Sequence, residues 1–540
     1  MPRDHDTGFF GHPKGLRTLF FTEMWERLSF YGARAFLAIY MATPVALGGR
    51  GMSGAEWSVV IALYLSSGYL LSLLGGWIAD RFLGQRKAVT VGGIGIMVGN
   101  AMLALPGDGL FYPGLIVVAV GTAFLKPNIS TIVGQLYRPD DNRRDSGFTI
   151  YYMGINVGAL IAPLVGTQFA QSESFRNFLS SHGVDPNLCW RAAFAVTAFG
   201  MAIGLVQYAF GYHILGDAGL RPTVPSDPAK AARDRRILIG VIGGLVGVVV
   251  LGLVVHRYVH PITSGLLANV FGFALGGTAV AIFVGFYRTA RDAGERQRVI
   301  AMIPLFIGCI AFFSLFEQAA STLSLFAERL VRRDYLGMHI VASAYQFINS
   351  ACVVVLASGF AWMWLRLTKI GKEPSTVTKF AIGMVLNAAS YAVLVPALST
   401  VSVTDGINPG YLFTLPYRTV SPNYLLLFYF VSTCAELCVS PVGLSSFSRL
   451  APPRLAGMVM GTWFLGIAIG EYFAGRAGEV SESHGYGFLF TVVIIGSLVV
   501  AAALFAVAPA IKRLLARDTA SAPLPRAIAE PRDTTEGGRP

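Results

Sequence analysis

Fourteen long apolar runs divide this chain, and no other feature limits its fold as strongly. They span residues 15–42, 54–80, 87–106, 110–134, 145–170, 189–214, 236–256, 263–287, 299–328, 338–366, 376–397, 423–447, 455–478 and 486–510. About 20 residues at ~1.5 Å each cross the hydrocarbon core of a bilayer. Inside a bilayer the backbone must satisfy its own hydrogen bonds, so each run is predicted to be a helix. The chain reads as an all-α integral membrane protein with fourteen crossings. Its composition agrees, with 54% hydrophobic and 13% charged residues, about half the charged share of a soluble domain.

The net charge of +12 does not mark a nucleic-acid binder, because the basic residues cluster in short loops. Arg81, Arg86 and Lys87 share one loop, and Arg138, Arg143 and Arg144 the next on that side. Arg288, Arg291, Arg296 and Arg298 follow, and Lys512, Arg513 and Arg517 close the series. The opposite loops hold fewer, chiefly Arg50, Arg176, Arg257, Arg332, Arg333 and Arg418. An even number of crossings with this bias places both termini in the cytoplasm. Residues Met1 to Gly15 are polar, and the first apolar run is too long for a signal-peptide core, so no cleaved leader is expected.

Charged breaks at 216–236 and 288–298 divide the crossings into six, two and six. The expected domains are a six-helix bundle over 1–214, a linker with two extra helices over 215–297, and a second bundle over 298–514. The middle pair is rich in Gly, Val and Leu and reads as lipid-facing filler. A disordered cytoplasmic tail is expected over 515–540. The five cysteines, Cys189, Cys309, Cys352, Cys434 and Cys438, lie in or beside apolar runs and suggest packing, not disulfides.

The first run carries charge that a lipid-facing helix would exclude. Within Glu23-Met24-Trp25-Glu26-Arg27-Leu28-Ser29-Phe30-Tyr31-Gly32-Ala33-Arg34 stand two carboxylates and two guanidiniums. Each such charge costs about 2.5–3.5 kcal/mol at mid-membrane on insertion scales. At ~100° per residue, Glu23, Glu26, Arg27, Phe30, Tyr31 and Arg34 fall in an arc of roughly 140°. That stripe faces protein or water. Glu23 and Arg27 are four apart and can pair. A cluster that only joins helices is the alternative, but one partner helix would not neutralise four charges cheaply.

Other runs repeat the pattern. Gly75 to Lys87 includes Asp80-Arg81 and resembles the loop signature of the major facilitator superfamily. Gly121 to Ser130 contains Lys126-Pro127, an intramembrane lysine beside a helix breaker. Tyr151 to Gly158 places Tyr152 and Asn156 on one face, as a binding pair or as a helix–helix hydrogen bond. Glu317, Gln346, Asn349 and Glu436, the last followed by Pro441, are polar groups in apolar runs of the second half. Trp463 lies on a Gly-rich run, where core packing is common.

Arg27, Arg34 and Lys126 lie in the first half; Glu317 and Glu436 lie in the second with no deep cation beside them. Arg34 and Lys126 are natural partners for Glu317 and Glu436. A cavity between a basic and an acidic wall suits a zwitterion, with Arg27 and Lys126 on its carboxylate and Glu436 on its ammonium. Crowded carboxylates also attract protons.

These motifs, in this order, resemble the proton-coupled oligopeptide transporter family. Glu23-x-x-Glu26-Arg27 is similar to its E-x-x-E-R motif, Gly121–Ser130 to its lysine-proline signature, Tyr151–Gly158 to its F-Y-x-x-I-N-x-G signature, and Glu436–Gly443 to its E-L-x-x-S-P-x-G signature. The resemblance covers nearly all crossings. It implies a major facilitator fold and a proton-coupled symporter that imports di- and tripeptides across a bacterial inner membrane by alternating access, working as a monomer. It implies that Glu23, Glu26, Arg27 and Glu317 couple protons. Arg27, Tyr31, Arg34, Tyr69, Lys126, Tyr152, Asn156, Asn349, Glu436 and Trp463 would meet the peptide. Lys126–Glu436, in the absence of peptide, and Arg34–Glu317 would be gating salt bridges. Protons are the only coupling ion and no cofactor or metal is expected.

The chain departs from the family pattern in places. Phe30 stands where a tyrosine is usual, Leu28 replaces a phenylalanine, and Asn349 is followed by Ser350, not proline. No histidine lies near Ala62, where animal members carry one, so carboxylates should carry the protons. A carrier of nitrate or a plant-type metabolite would share the fold, but Glu23, Glu26 and Glu436 favour protons and a zwitterion. No nucleotide loop, metal cluster or nucleophile triad suggests an enzyme or receptor.

Overall fold

The computed structural model describes residues 8–138, 141, 143–222, 228–258, 263–399, 420–450 and 456–521. The first half comprises α1 (Lys14–Ala42), α2 (Gly54–Ile78), α3 (Gln85–Ala104), α4 (Phe111–Gln135), α5 (Arg144–Ala170), the short α6 (Glu173–Ser181) and α7 (Cys189–Gly211). Two helices follow, α8 (Pro228–Tyr258) and α9 (Ser264–Thr289). The second half comprises α10 (Ala293–Phe316), α11 (Thr322–Leu330), α12 (Gln346–Lys369), α13 (Thr376–Leu398), α14 (Pro422–Leu450) and α15 (Ala456–Ser521). Among the described residues 11 helical stretches are long and apolar enough to cross a membrane. One of them, Gly461–Arg513, is 53 residues long and bends at Gly485 (φ 81°, ψ 165°), which makes α15 two crossings. The charged α1 and the 31-residue α8 complete the set read from sequence.

Three boundaries differ from the sequence reading. The run 299–328 is two helices, because a 3-10 turn over Glu317–Ala320 separates α10 from α11. The run 338–366 becomes helical only at Ala342, where a 3-10 turn over Ala342–Tyr345 leads into α12; before it, β1 (Asp334–Tyr335) and β2 (Met338–His339) form a hairpin around Leu336 and Gly337, both at positive φ. α15 stays helical to Ser521, past the expected start of the tail, and residues 522–540 lie outside the described ones. Pro127 and Pro441 both sit inside continuous helices.

Small residues let helices touch through their backbones. A Cβ added at Gly121 of α4 would stand 2.6 Å from the Ile96 nitrogen and 2.7 Å from the Gly92 carbonyl of α3. On α15, a Cβ at Gly475 would meet the Ala62 backbone of α2 at 2.5 Å. Arg86 ties the loop signature down by donating to the carbonyls of Tyr212 (3.1 Å), Gly216 (2.5 Å) and Ala218 (2.6 Å). Asp80 accepts from Gln85 Nε2 at 2.6 Å.

The two halves share one core at the end that carries the 43–53 loop. There Phe30, Phe36, Tyr40 and Trp57 pack in one cluster with Phe326, Tyr391, Phe428 and Phe490. Polar links reinforce that end. Gln171 Nε2 donates to Glu328 at 2.9 Å, the Ser343 hydroxyl donates to Gln171, and Arg329 pairs with Glu482 at 2.7 Å. Toward the chain termini the cores separate. Leu16, Val89, Ile129 and Tyr208 pack within the first half alone. Phe306, Phe380, Phe447 and Leu504 pack in the second half, joined by Val59 and Ala62 of α2.

The extra pair is not wholly lipid-facing. The Tyr472 hydroxyl of α15 donates to the Ala268 carbonyl of α9 at 2.9 Å, and Phe283 packs on Phe306 with centroids 5.1 Å apart. One face of α9 therefore docks on the second bundle.

Candidate functional site

The helical spacing of α1 aligns its charges as a ladder. Arg27 Nε pairs with Glu26, one residue away, and with Glu23 Oε1 at 3.3 Å, one turn away. All three side chains are buried. One cation between two carboxylates leaves the ladder short of positive charge. Glu23 Oε2, Glu26 Oε1 and one Arg27 amino group have no hydrogen-bond partner in the structure. The Arg27 guanidinium also lies 5.1 Å from the Phe30 ring and 5.6 Å from the Tyr31 ring. Phe30 thus keeps the cation contact that an aromatic ring supplies and lacks only a hydroxyl. Tyr31 is held from its other side by Arg34 at 5.8 Å.

Next to this ladder is a half-buried set. Lys126 Nζ stands 3.7 Å from the Tyr69 ring centroid. A narrow cavity beside them is lined by Phe30, Tyr64, Gly68, Thr122 and Lys126 among others. Within the second half, Glu436 Oε2 accepts from Asn349 Nδ2 at 3.0 Å, and the same amide donates to Thr433 Oγ1 at 3.0 Å. Asn156 Nδ2 donates to the Tyr152 carbonyl on its own helix at 2.9 Å. Tyr152 is 52% exposed. Among the described residues no ion pair joins Lys126 to Glu436; each polar head has another partner, a ring for the lysine and an amide for the carboxylate. Which cation meets which carboxylate follows from helix rotation and depth, which sign alone does not fix.

Arg34 and Glu317 come together as an ion pair between α1 and the 3-10 turn after α10. The break in the helix at Glu317 presents this carboxylate at the joint between the halves. A second carboxylate shares Arg34: Glu471 Oε1 of α15 lies 3.7 Å from the guanidinium. Sequence reasoning passed over Glu471, although a glutamate in the apolar run 455–478 carries the same signal as Glu317 or Glu436. It also missed Glu328, Arg329 and Glu482, which link the sealed end. Trp463 is not brought to the half-buried set. It is 3% exposed and enclosed by Phe313, Phe380 and Phe447, the last with centroids 5.3 Å apart.

Two bundles joined at one end, with cations on one wall and carboxylates on both, define a secondary-transporter fold of the major facilitator type. The chain belongs to the POT family, whose model it matches over residues 86–484. It is 35% identical over 470 residues to the di-/tripeptide transporter of Lactococcus lactis subsp. cremoris, covering 85% of this chain and 87% of that one. It is 33% identical over 516 residues to the peptide transporter YePEPT of Yersinia enterocolitica, covering 94% and 96%. A crystal structure of the peptide transporter POT in complex with sulfate superposes with a TM-score of 0.80 at 34% identity, covering 94% and 96%. A POT family transporter in complex with 5-aminolevulinic acid gives a TM-score of 0.81 at 31% identity, covering 94% and 98%. The chain is accordingly a multi-pass membrane transporter and not an enzyme.

Proposed function

We propose that the protein is a proton-driven symporter that imports di- and tripeptides across a bacterial inner membrane, as a monomer with both termini in the cytoplasm. One observation carries this reading. Glu23, Glu26, Arg27 and Arg34 are buried, whereas Tyr31, Tyr69, Lys126, Asn156, Asn349 and Glu436 are half-buried, with Tyr152 exposed. A proton site needs carboxylates screened from water, and a peptide site needs polar groups that a solute can reach. The cation Lys126 suits the peptide carboxylate and Glu436 the ammonium. Relatives of this chain are named as peptide transporters, which supports the reading.

Alternating access follows from the same arrangement. The halves are sealed at the 43–53 end, which the bias of basic loops places outside. Opening that end requires parting Arg34 from Glu317, Gln171 from Glu328, and the shared aromatic core. A proton on Glu317 removes one of these links.

The test is uptake of labelled dialanine into proteoliposomes with and without an imposed pH gradient or voltage. Accumulation should require the gradient, and nitrate should not compete. Accumulation without a gradient overturns the coupling. In the variant Glu317→Gln, gradient-driven accumulation should be lost.

A further inference from the structure

Arg34 is one cation facing two carboxylates. Glu317 holds it directly, and Glu471 Oε1 lies 3.7 Å away. Glu471 is 0% exposed, and neither of its oxygens has a hydrogen-bond partner. It cannot swing out to water, because α15 is pressed against α10 at this level. A Cβ added at the adjoining Gly470 would stand 2.4 Å from Phe313 Cβ and 3.1 Å from the Ser314 nitrogen. Among the described residues, the charged and titratable groups near enough to act electrostatically on Glu471 are Arg34 of α1, Tyr69 of α2, Lys126 of α4 and Glu317 of the turn after α10. Lys126 is held on the Tyr69 ring, so the cation in ion-pair range of Glu471 is Arg34.

Two carboxylates that share one buried guanidinium do not both ionise, because the site would then hold an uncompensated negative charge. We propose that Glu471 is a second proton-carrying carboxylate of the Arg34–Glu317 pair. Glu471 keeps its proton while Glu317 holds Arg34. A proton arriving on Glu317 makes it neutral and frees the guanidinium. Arg34 then shifts onto Glu471, whose proton leaves toward the cavity beside Tyr69 and Lys126. One proton is taken up by Glu317 and one is released by Glu471, so the three side chains are neutral in sum before and after the exchange. This gives the symporter an exchange of partners at Arg34 in place of an open buried charge. It rests on the proton-driven reading above.

The experiment compares wild type with Glu471→Gln in proteoliposomes, in two assays. Peptide counterflow, with equal pH on both sides, reads binding and reorientation. Accumulation under a gradient of about one pH unit reads coupling and reaches up to about tenfold for one proton per peptide. The Gln variant should retain counterflow, and its accumulation ratio should fall to about one, the value without coupling. Wild-type accumulation that needs no gradient overturns the proton-driven reading itself. Gradient-driven accumulation that is equal in wild type and the variant overturns the role of Glu471 and leaves that reading standing. If the variant loses both assays, wild-type protein decides. A hydrophobic carbodiimide adds to protonated buried carboxyls, and mass spectrometry should find the adduct on Glu471 at neutral pH. Absence of that adduct overturns the proposal.

Discussion

Lys126 stands 3.7 Å above the ring of Tyr69, so α4 and α2 are joined by a cation–π contact where an ion pair to Glu436 was expected. Such a contact is worth about 0.5–2 kcal/mol as desolvation increases. The ring therefore fixes the ammonium at the edge of the cavity. Tyr69→Ala should weaken dialanine binding by roughly 2–30-fold, and Tyr69→Phe, which keeps the ring, by about twofold or less. Titration calorimetry on the purified protein checks this. An equal loss in both variants would assign the effect to the hydroxyl instead.

Glu436 accepts from Asn349 at 3.0 Å, and the same amide also donates to Thr433. A hydrogen bond to a charged group is worth about 1.5–3 kcal/mol. Glu436→Gln should therefore lower affinity for dialanine roughly 10–100-fold. The same change should leave N-acetyl-dialanine, which lacks the ammonium, at its wild-type affinity. Asn349→Ala should have the smaller effect, since it loosens Glu436 without removing its charge. Loss of both peptides alike in Glu436→Gln would rule out an ammonium site.

Gly121 lies where α3 and α4 meet backbone to backbone. Gly121→Ala should force them apart and lower stability by about 1–3 kcal/mol, the usual cost of overpacking. Gly276, with nothing within 4 Å of an added Cβ, is the control and should tolerate alanine. Thermal unfolding in detergent compares the two. A wild-type melting temperature for Gly121→Ala would contradict the close approach.

On the face that carries the N-terminus, His12 Nδ1 is 3.0 Å from the Tyr137 hydroxyl and Nε2 is 3.4 Å from Ser146 Oγ. Burial, and then the Arg143 guanidinium, hold this imidazole below its ordinary value of 6.5. The folded form binds the proton less readily than the unfolded one, so stability rises with pH through this window. The contribution of His12 is complete above pH 6.5 and is lost progressively below it. Hydrogen exchange of residues 8–13, corrected for its intrinsic pH dependence, should accelerate as pH falls below that value. His12→Gln should remove the dependence; its persistence would point to another group.

The crossings were legible because each is a local property: about 20 apolar residues in a row admit one solution in lipid. The break at Glu317 and the hairpin at Asp334–His339 were not, since apolar content runs on through both. Part of the site was legible too, because an intramembrane charge stands out against its own neighbours. Arg34 and Glu317 could be matched by sign although they lie 283 residues apart in sequence. The match of Lys126 with Glu436 is not formed in this structure, and Trp463 lies in a core, because both depend on which way a helix is turned.

The order of residues along the chain is enough to set the solvent this protein folds in, the number of its crossings, and the fact that its charges must face inward. Those follow from the cost of burying polar groups in hydrocarbon, which each run meets alone. Which charges meet depends on how the helices pack in three dimensions. Glu471 is unremarked in its own helix and becomes a partner of Arg34 only when α1, α10 and α15 converge. A buried charge is defined by what neutralises it, and that partner lies on another helix.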